Sequence, residues 1–240
     1  MSDEPEFNSF QPGLRAVVIG GGGIGAAVAA ALRSSPQVAE ALTLSRRADA
    51  DQALDVADED SIRAAAAAID EPLDIVFVAT GMLHDDQISP EKALSALTPE
   101  ALMRVFQVNA VGPALVAKHF LPLLAKDRKS VFAALSARVG SIGDNRLGGW
   151  HSYRASKAAL NMLIRTMSVE LARRNPKALI VGMHPGTVDT GLSQPFQRAV
   201  PDGKLFTPDK SARAMLSVLD GLTANDSGRQ FAWDGARIPD

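Results

Sequence analysis

Residues 14–19 form a short apolar run. Gly20, Gly21, Gly22, Gly23, Ile24 and Gly25 follow at once, and then the alanine-rich run 26–32. The first run reads as a buried strand and the last as a helix. A strand turned directly into a helix by glycines leaves few folds open, because strand and helix must pack back on each other within a handful of residues. Gly20, Gly22 and Gly25 fit the spacing G-x-G-x-x-G. Glycine there allows a tight turn and a close backbone approach to a pyrophosphate, which sits at the positive end of the helix. Gly20, Gly22, Gly23, Ile24 and Gly25 are therefore candidate contacts to a dinucleotide.

The rest of the chain repeats the alternation. Further strands are expected at 41–45, 73–79, 131–135 and 179–183, with a closing strand near 229–233. Helical patterns cover 58–69, 99–126 (bent or ended near Pro113 and Pro122), 151–174 and 208–222. The segment 191–206 is polar and loop-like, with Phe196 and Phe206 as its apolar contacts and the reach of a lid. This order predicts an α/β fold, a single-domain Rossmann-like doubly wound parallel sheet with helices on both faces, spanning residues 13–240. The acidic, polar residues 1–12 read as a flexible N-terminal tail. In such sheets ligands gather at the carboxyl ends of the strands, where Gly20, Ala79, Ser136 and Pro185 fall.

The second strand ends in Ser45-Arg46-Arg47, where an acid would accept from a ribose 2′-hydroxyl. Arginine instead pairs with a 2′-phosphate through two hydrogen bonds, so the preferred cofactor is NADP, with NAD less favoured.

Tyr153, the only tyrosine, is followed four residues later by Lys157, at the start of a helical pattern. Positions i and i+4 share one helix face. A nearby ammonium favours phenolate over phenol, so the Tyr153 pKa is expected below its ordinary value of about 10, as suits a proton donor and acceptor near neutral pH.

Charge and composition exclude other classes. The net charge of −2 gives no basic footprint for nucleic acid and no electrostatic attraction to anionic membranes, and no apolar run reaches the ~20 residues of a membrane span. The absence of cysteine excludes disulfides and thiolate metal sites, and fits a cytoplasmic location.

Together these residues resemble the short-chain dehydrogenase/reductase family from about residue 14 onward. The resemblance is carried by the glycine turn, Asp55-Val56, the segment ending in Gly81, Asn109, the serine at the fourth strand's end, Tyr153 to Lys157, and Pro185-Gly186 followed by Val188 and Thr190. Within the family the chain is most similar to the C-factor/carbonyl reductase-like branch. The resemblance implies that Tyr153 protonates a substrate carbonyl and that Lys157 tunes it and binds the nicotinamide ribose. Asn109 would hold a relay water, Asp55 and Val56 would hold adenine, and Val188 and Thr190 would contact the carboxamide. It implies a small-molecule carbonyl or alcohol substrate and a homodimer or homotetramer paired through the two long helices. Three departures stand out. The glycine turn is one residue shorter than the family's, the usual Asn-Asn-Ala-Gly reads Val78-Ala79-Thr80-Gly81, and the usual serine pair reads Ser136-Ala137. Ser136 is taken as the catalytic hydroxyl. The Ala137 departure also motivates an alternative, an NAD(P)-binding signalling or scaffold protein with little or no catalysis.

Overall fold

Each apolar run finds a place in one sheet because its side chains have two faces to bury. The computed structural model describes residues 6–240 apart from residue 202. In chain order the elements are β1 (Leu14–Ile19), α1 (Gly23–Ser34), β2 (Val38–Ser45), β3 (Gln52–Ala53), α2 (Glu59–Ala67) and β4 (Ile75–Val78). Next come α3 (Pro99–Phe106), α4 (Gly112–Phe120), β5 (Ser130–Leu135), α5 (His151–Arg174), β6 (Ala178–His184), β7 (Thr187–Val188) and β8 (Leu205–Phe206). The chain closes with α6 (Pro208–Gly221), β9 (Gln230–Ala232) and β10 (Arg237–Ile238).

Eight strands form the main sheet in the order β10-β9-β6-β5-β4-β1-β2-β3. All neighbours are parallel except the β9–β10 pair. From β1 the chain moves outward to β2 and β3, then crosses back to β4 on the other side of β1. That reversal opens a crevice at the carboxyl ends of β1 and β4, where such sheets bind ligands. Side chains alternate between two core layers. Val131, Ala133 and Leu135 of β5 face the layer covered by α1 and α6. Phe132 and Ala134 face the layer of α2, α4 and α5, with Leu160 and Ile164.

The expected long helix over 99–126 is present but is not one α-helix. A π-helical turn, Gln107–Val111, separates α3 from α4. The Gly112 N–H reaches the Gln107 carbonyl, and Pro113 has no N–H to give the carbonyl four residues earlier. The carbonyls of Val108 and Asn109 thus lose their α-helical donors, in the turn that carries Asn109.

The N-terminal expectation needs correcting for residues 6–12; residues 1–5 lie outside the described ones. Phe7 and Phe10 are buried in the layer of α1 and α6, and their rings pack edge to face. Gln37 exchanges hydrogen bonds with both the N–H and the carbonyl of Phe7. Lys129 donates to Ser9 Oγ and to the carbonyls of Leu219, Asp220 and Leu222, and its ammonium lies 4.6 Å from the Phe10 ring centre. One lysine thus ties the N-terminal segment to the last turn of α6, where a cation also meets the negative end of the helix. Among the described residues no helix is long and apolar enough to cross a membrane.

Candidate functional site

The glycine turn is built as the sequence predicts. Gly20 has φ +111°, in the range that favours glycine. A Cβ on Gly25 would run into the Gly20 carbonyl oxygen, so α1 can pack this close to the turn only with glycine there. Gly22 is the N-cap of α1, and nothing lies within 4 Å of where its Cβ would stand. Gly23 faces Thr190, whose Cγ2 would be 2.8 Å from a Cβ. Ile24 packs against the core layer of α1 and α6.

A cavity of about 590 Å³ opens in the crevice. Gly20, Gly21 and Gly22 line one side. Ser45, Arg46 and Arg47 from the end of β2, Asp55 and Val56 after β3, and Thr80 and Gly81 after β4 line the rest. Arg47 leans over Gly21 and forms a two-pronged pair with Asp49, while Arg46 is exposed, 3.8 Å from Asp55. The two arginines expected to act alike are thus unequal, and Arg46 is the less committed. Asp55 accepts from the Ala57 N–H. Thr80 Oγ1 is buried without a hydrogen-bond partner, an arrangement that costs free energy unless a ligand's polar atom meets it. An open space beside Gly22, an orphaned hydroxyl in the wall, and two arginines at the rim fit an anionic adenine dinucleotide.

Gly81 joins this cavity to the tyrosine. A Cβ there would lie 3.6 Å from Lys157 Nζ and 3.8 Å from Asn109 Oδ1. Asn109 is fully buried. Its Oδ1 accepts from the Met82 N–H at 2.7 Å, and its Nδ2 donates to the Met82 carbonyl at 2.8 Å and to Ser156 Oγ at 3.1 Å. Its side-chain amide is therefore a clamp between the loop after β4 and α5. Lys157 is buried and donates to the Leu135 carbonyl at 2.8 Å, with Nζ 5.8 Å from the centre of the Tyr153 ring.

The electrostatics reverse one expectation. Burial pushes the Tyr153 phenol up to about 12 and the Lys157 ammonium down to about 7. Desolvation penalises the charged form of both.

Ser136 faces the helix that carries the tyrosine but meets it further along. It shares the β5 parity of Phe132 and Ala134, and its hydroxyl donates to Asn161 Oδ1 at 2.7 Å. Asn161 lies eight residues beyond Tyr153, about 12 Å along the helix. The β5–β6 register runs without a one-residue shift, so the Ser136 hydroxyl is engaged by Asn161, and Ala137 occupies the position after it. Ser141 Oγ accepts from the Asp144 N–H.

Beyond β6, Gly186 has φ +79°, and a Cβ there would press on Phe206 and Trp233 at 2.8 to 3.0 Å. The Pro185 carbonyl accepts from Ser211. Val188 is buried, pairs with Phe206 across β7 and β8, and leads to Thr190 against the glycine turn. Phe206 packs edge to face on Trp233 at 4.6 Å.

Two residues escaped the sequence reading. Glu91 is buried, and its carboxylate accepts from the Ser152 N–H and hydroxyl, in place of a local cap on α5. Desolvation works to raise its pKa, but the bonds from Ser152 prevail and hold it below the usual carboxylate range. Trp150, the residue before α5, adopts φ +51° and ψ +46°. Only Gly148-Gly149 just before it hinted at a left-handed run.

Comparison with known proteins agrees with this geometry. The sequence model of short chain dehydrogenases matches residues 15–200. The chain is 40% identical to C-signal of Myxococcus xanthus over 139 residues, covering 58% of this chain and 78% of that protein. It is 32% identical over 185 residues to 1-hydroxy-2-glutathionyl-2-methyl-3-butene dehydrogenase of Rhodococcus sp. (strain AD45), covering 76% of each. In structure it superposes on the NADPH-bound carbonyl reductase from chicken fatty liver with a TM-score of 0.82 and 26% identity, covering 97% of this chain and 96% of the other. A glycine turn at a sheet's reversal point, a Tyr153-Lys157 helix beside it and a family match over most of the length lead to one conclusion: this chain belongs to the short-chain dehydrogenase family, in the branch that resembles C-signal and the carbonyl reductases.

Proposed function

We propose that the protein is an NADP-dependent oxidoreductase that reduces a carbonyl compound, or in reverse oxidises a secondary alcohol, with Tyr153 as general acid and base. The observation that carries this is the position of Gly81, which lines the dinucleotide-sized cavity and also borders Lys157 and Asn109. A bound nicotinamide would supply the hydride. Gly20, Gly22, Gly23, Ile24 and Gly25 would admit and cradle the pyrophosphate. Asp55 and Val56 would hold adenine, Ser45, Arg46 and Arg47 the 2′-phosphate, and Pro185, Gly186, Val188 and Thr190 the nicotinamide end. Tyr153 gives its proton to the carbonyl oxygen. Lys157, poised to exchange a proton near pH 7, returns it. Asn109 holds the loop after β4, and the carbonyls freed by the π turn offer a water a place in the relay. The NADPH-bound carbonyl reductase that this chain resembles in structure supports the choice of cofactor.

The test is oxidation of NADPH with a panel of ketones and aldehydes. Turnover with NADPH exceeding that with NADH is expected. Arg46→Glu should weaken NADPH binding by about tenfold or more while changing NADH binding less than about threefold. Tight NADPH binding with no turnover on any carbonyl would refute the reductase reading.

The outer faces of α3 to α5 support self-association. Met103, Val111, Met162 and Val169 are exposed there, and a groove of about 430 Å³ runs between α4 and α5, lined by Ala114, Leu121, Met167 and Leu171 among others. Apolar surface of this kind on paired helices is expected to be buried by a second copy. Light scattering at micromolar concentration should report a homodimer or homotetramer, and Met162→Glu should shift it toward monomer.

A further inference from the structure

Four rings run in an unbroken series from the catalytic helix to the segment between β7 and β8. Trp150 packs edge to face on Tyr153 at 6.2 Å between ring centres, and on Phe196 at 5.1 Å. Phe196 packs edge to face on His84 at 5.8 Å. All four residues are partly exposed, and the series ends on Tyr153 itself.

The series is held in place by strain and by hydrogen bonds. A tryptophan in the left-handed region is strained and persists only where its surroundings enforce it. Here Gly148 and Gly149 lead in at φ +63° and +65°. The Trp150 N–H donates to the Glu91 carbonyl, and its carbonyl accepts from the Arg154 N–H at 2.8 Å. Phe196 is held from the other side. His84 Nε2 lies 3.3 Å and 3.2 Å from the carbonyls of Gly191 and Leu192, so it carries the proton and donates to both. Gln197 binds Asp189 and Ser193. Two loops and the start of α5 thus converge to place rings beside the reacting hydroxyl.

We infer that Trp150 and Phe196, with His84 holding the lid, form the specificity wall of this site, and that the wall selects a carbonyl compound bearing a flat aromatic group over an aliphatic one. This inference rests on the reductase reading above. Offset or edge-on stacking rewards a ring near Trp150 and Phe196 in a way an alkyl chain cannot match. Fixing Trp150 in advance removes the ordering cost from binding.

Two measurements test it. The first compares acetophenone with butanone in steady-state kinetics. Trp150→Gly, which suits the left-handed backbone, should raise KM for acetophenone about tenfold or more and that for butanone less than about twofold, with Trp150→Phe restoring most of the difference. Equal losses in kcat for both ketones, with KM unchanged, would show that Trp150 only positions Tyr153 and would overturn the inference. The second reads binding without turnover. The chain has two tryptophans, so Trp233→Phe leaves Trp150 as the sole indole fluorophore. Acetophenone should quench it saturably, and Phe196→Ala should weaken that binding about fivefold or more. Absent or unaltered quenching would overturn the wall. Saturable quenching with no turnover of any carbonyl would uphold the wall and refute the reductase reading. Turnover without aryl preference would do the reverse.

Discussion

Tyr153→Phe should lower turnover about a thousandfold while leaving NADPH affinity within about twofold of the parent. Phenylalanine keeps the ring that packs on Trp150, so the helix start and the lid contact survive and the loss isolates the hydroxyl. Steady-state kinetics paired with a cofactor titration checks this. A variant with more than a tenth of parental turnover would remove Tyr153 from the proton step. Direction matters to the pH profile. Burial pushes the phenol up to about 12, so its acid form dominates through the neutral range, and carbonyl reduction should decline between about pH 6 and about pH 9 as Lys157, lowered to about 7 and the group that returns the proton, loses its charge. Alcohol oxidation needs the phenolate and should accelerate with pH over the same span. A biological effect that survived Tyr153→Phe unchanged would point to a binding role without chemistry.

The parts of this site visible in the sequence are those set by local spacing. A continuous apolar strand, a glycine pattern and an i, i+4 pair need only neighbours along the chain, and each falls where spacing puts it. What escaped depends on residues far apart. Glu91 caps a helix that starts sixty residues later, and no local pattern announces that. Phe7 and Phe10 sit in a polar stretch too short to show a period, yet Lys129 and Gln37 pin them to the core. Ser136 and Ala137 differ only in strand parity, which neighbouring β5 residues decide once the sheet is assembled. The pKa expectation erred for the same reason: it counted one charge beside another and had no measure of the water both groups lose on burial.

That loss of water sets up the last expected result, an opposition between stability and function at Lys157. Its pKa falls from 10.5 unfolded to about 7 folded, with burial as the cause. Between those values the unfolded chain holds a proton that the folded chain lacks, so this group makes unfolding easier as pH falls from 10.5 to 7, and below 7 its full cost is present. At pH 7 the cost is roughly 4 kcal/mol. Lys157→Met keeps the length of the side chain and removes the charge, but it strips the Leu135 carbonyl of its donor, at about 2 kcal/mol. The variant should therefore be more stable than the parent by about 2 kcal/mol at pH 7, or about 5 °C in Tm, with the gain vanishing near pH 9. Lys129, lowered to about 8, contributes its own slope to both proteins, so the difference between them is the quantity to read. Turnover should fall at least about a hundredfold. Paired denaturation curves at pH 7 and pH 9 check the stability; a variant less stable at pH 7 would mean that the ammonium, not its removal, suits the fold. Selection for folding alone would discard this lysine, so its burial against that cost supports the proton-exchange role proposed for it.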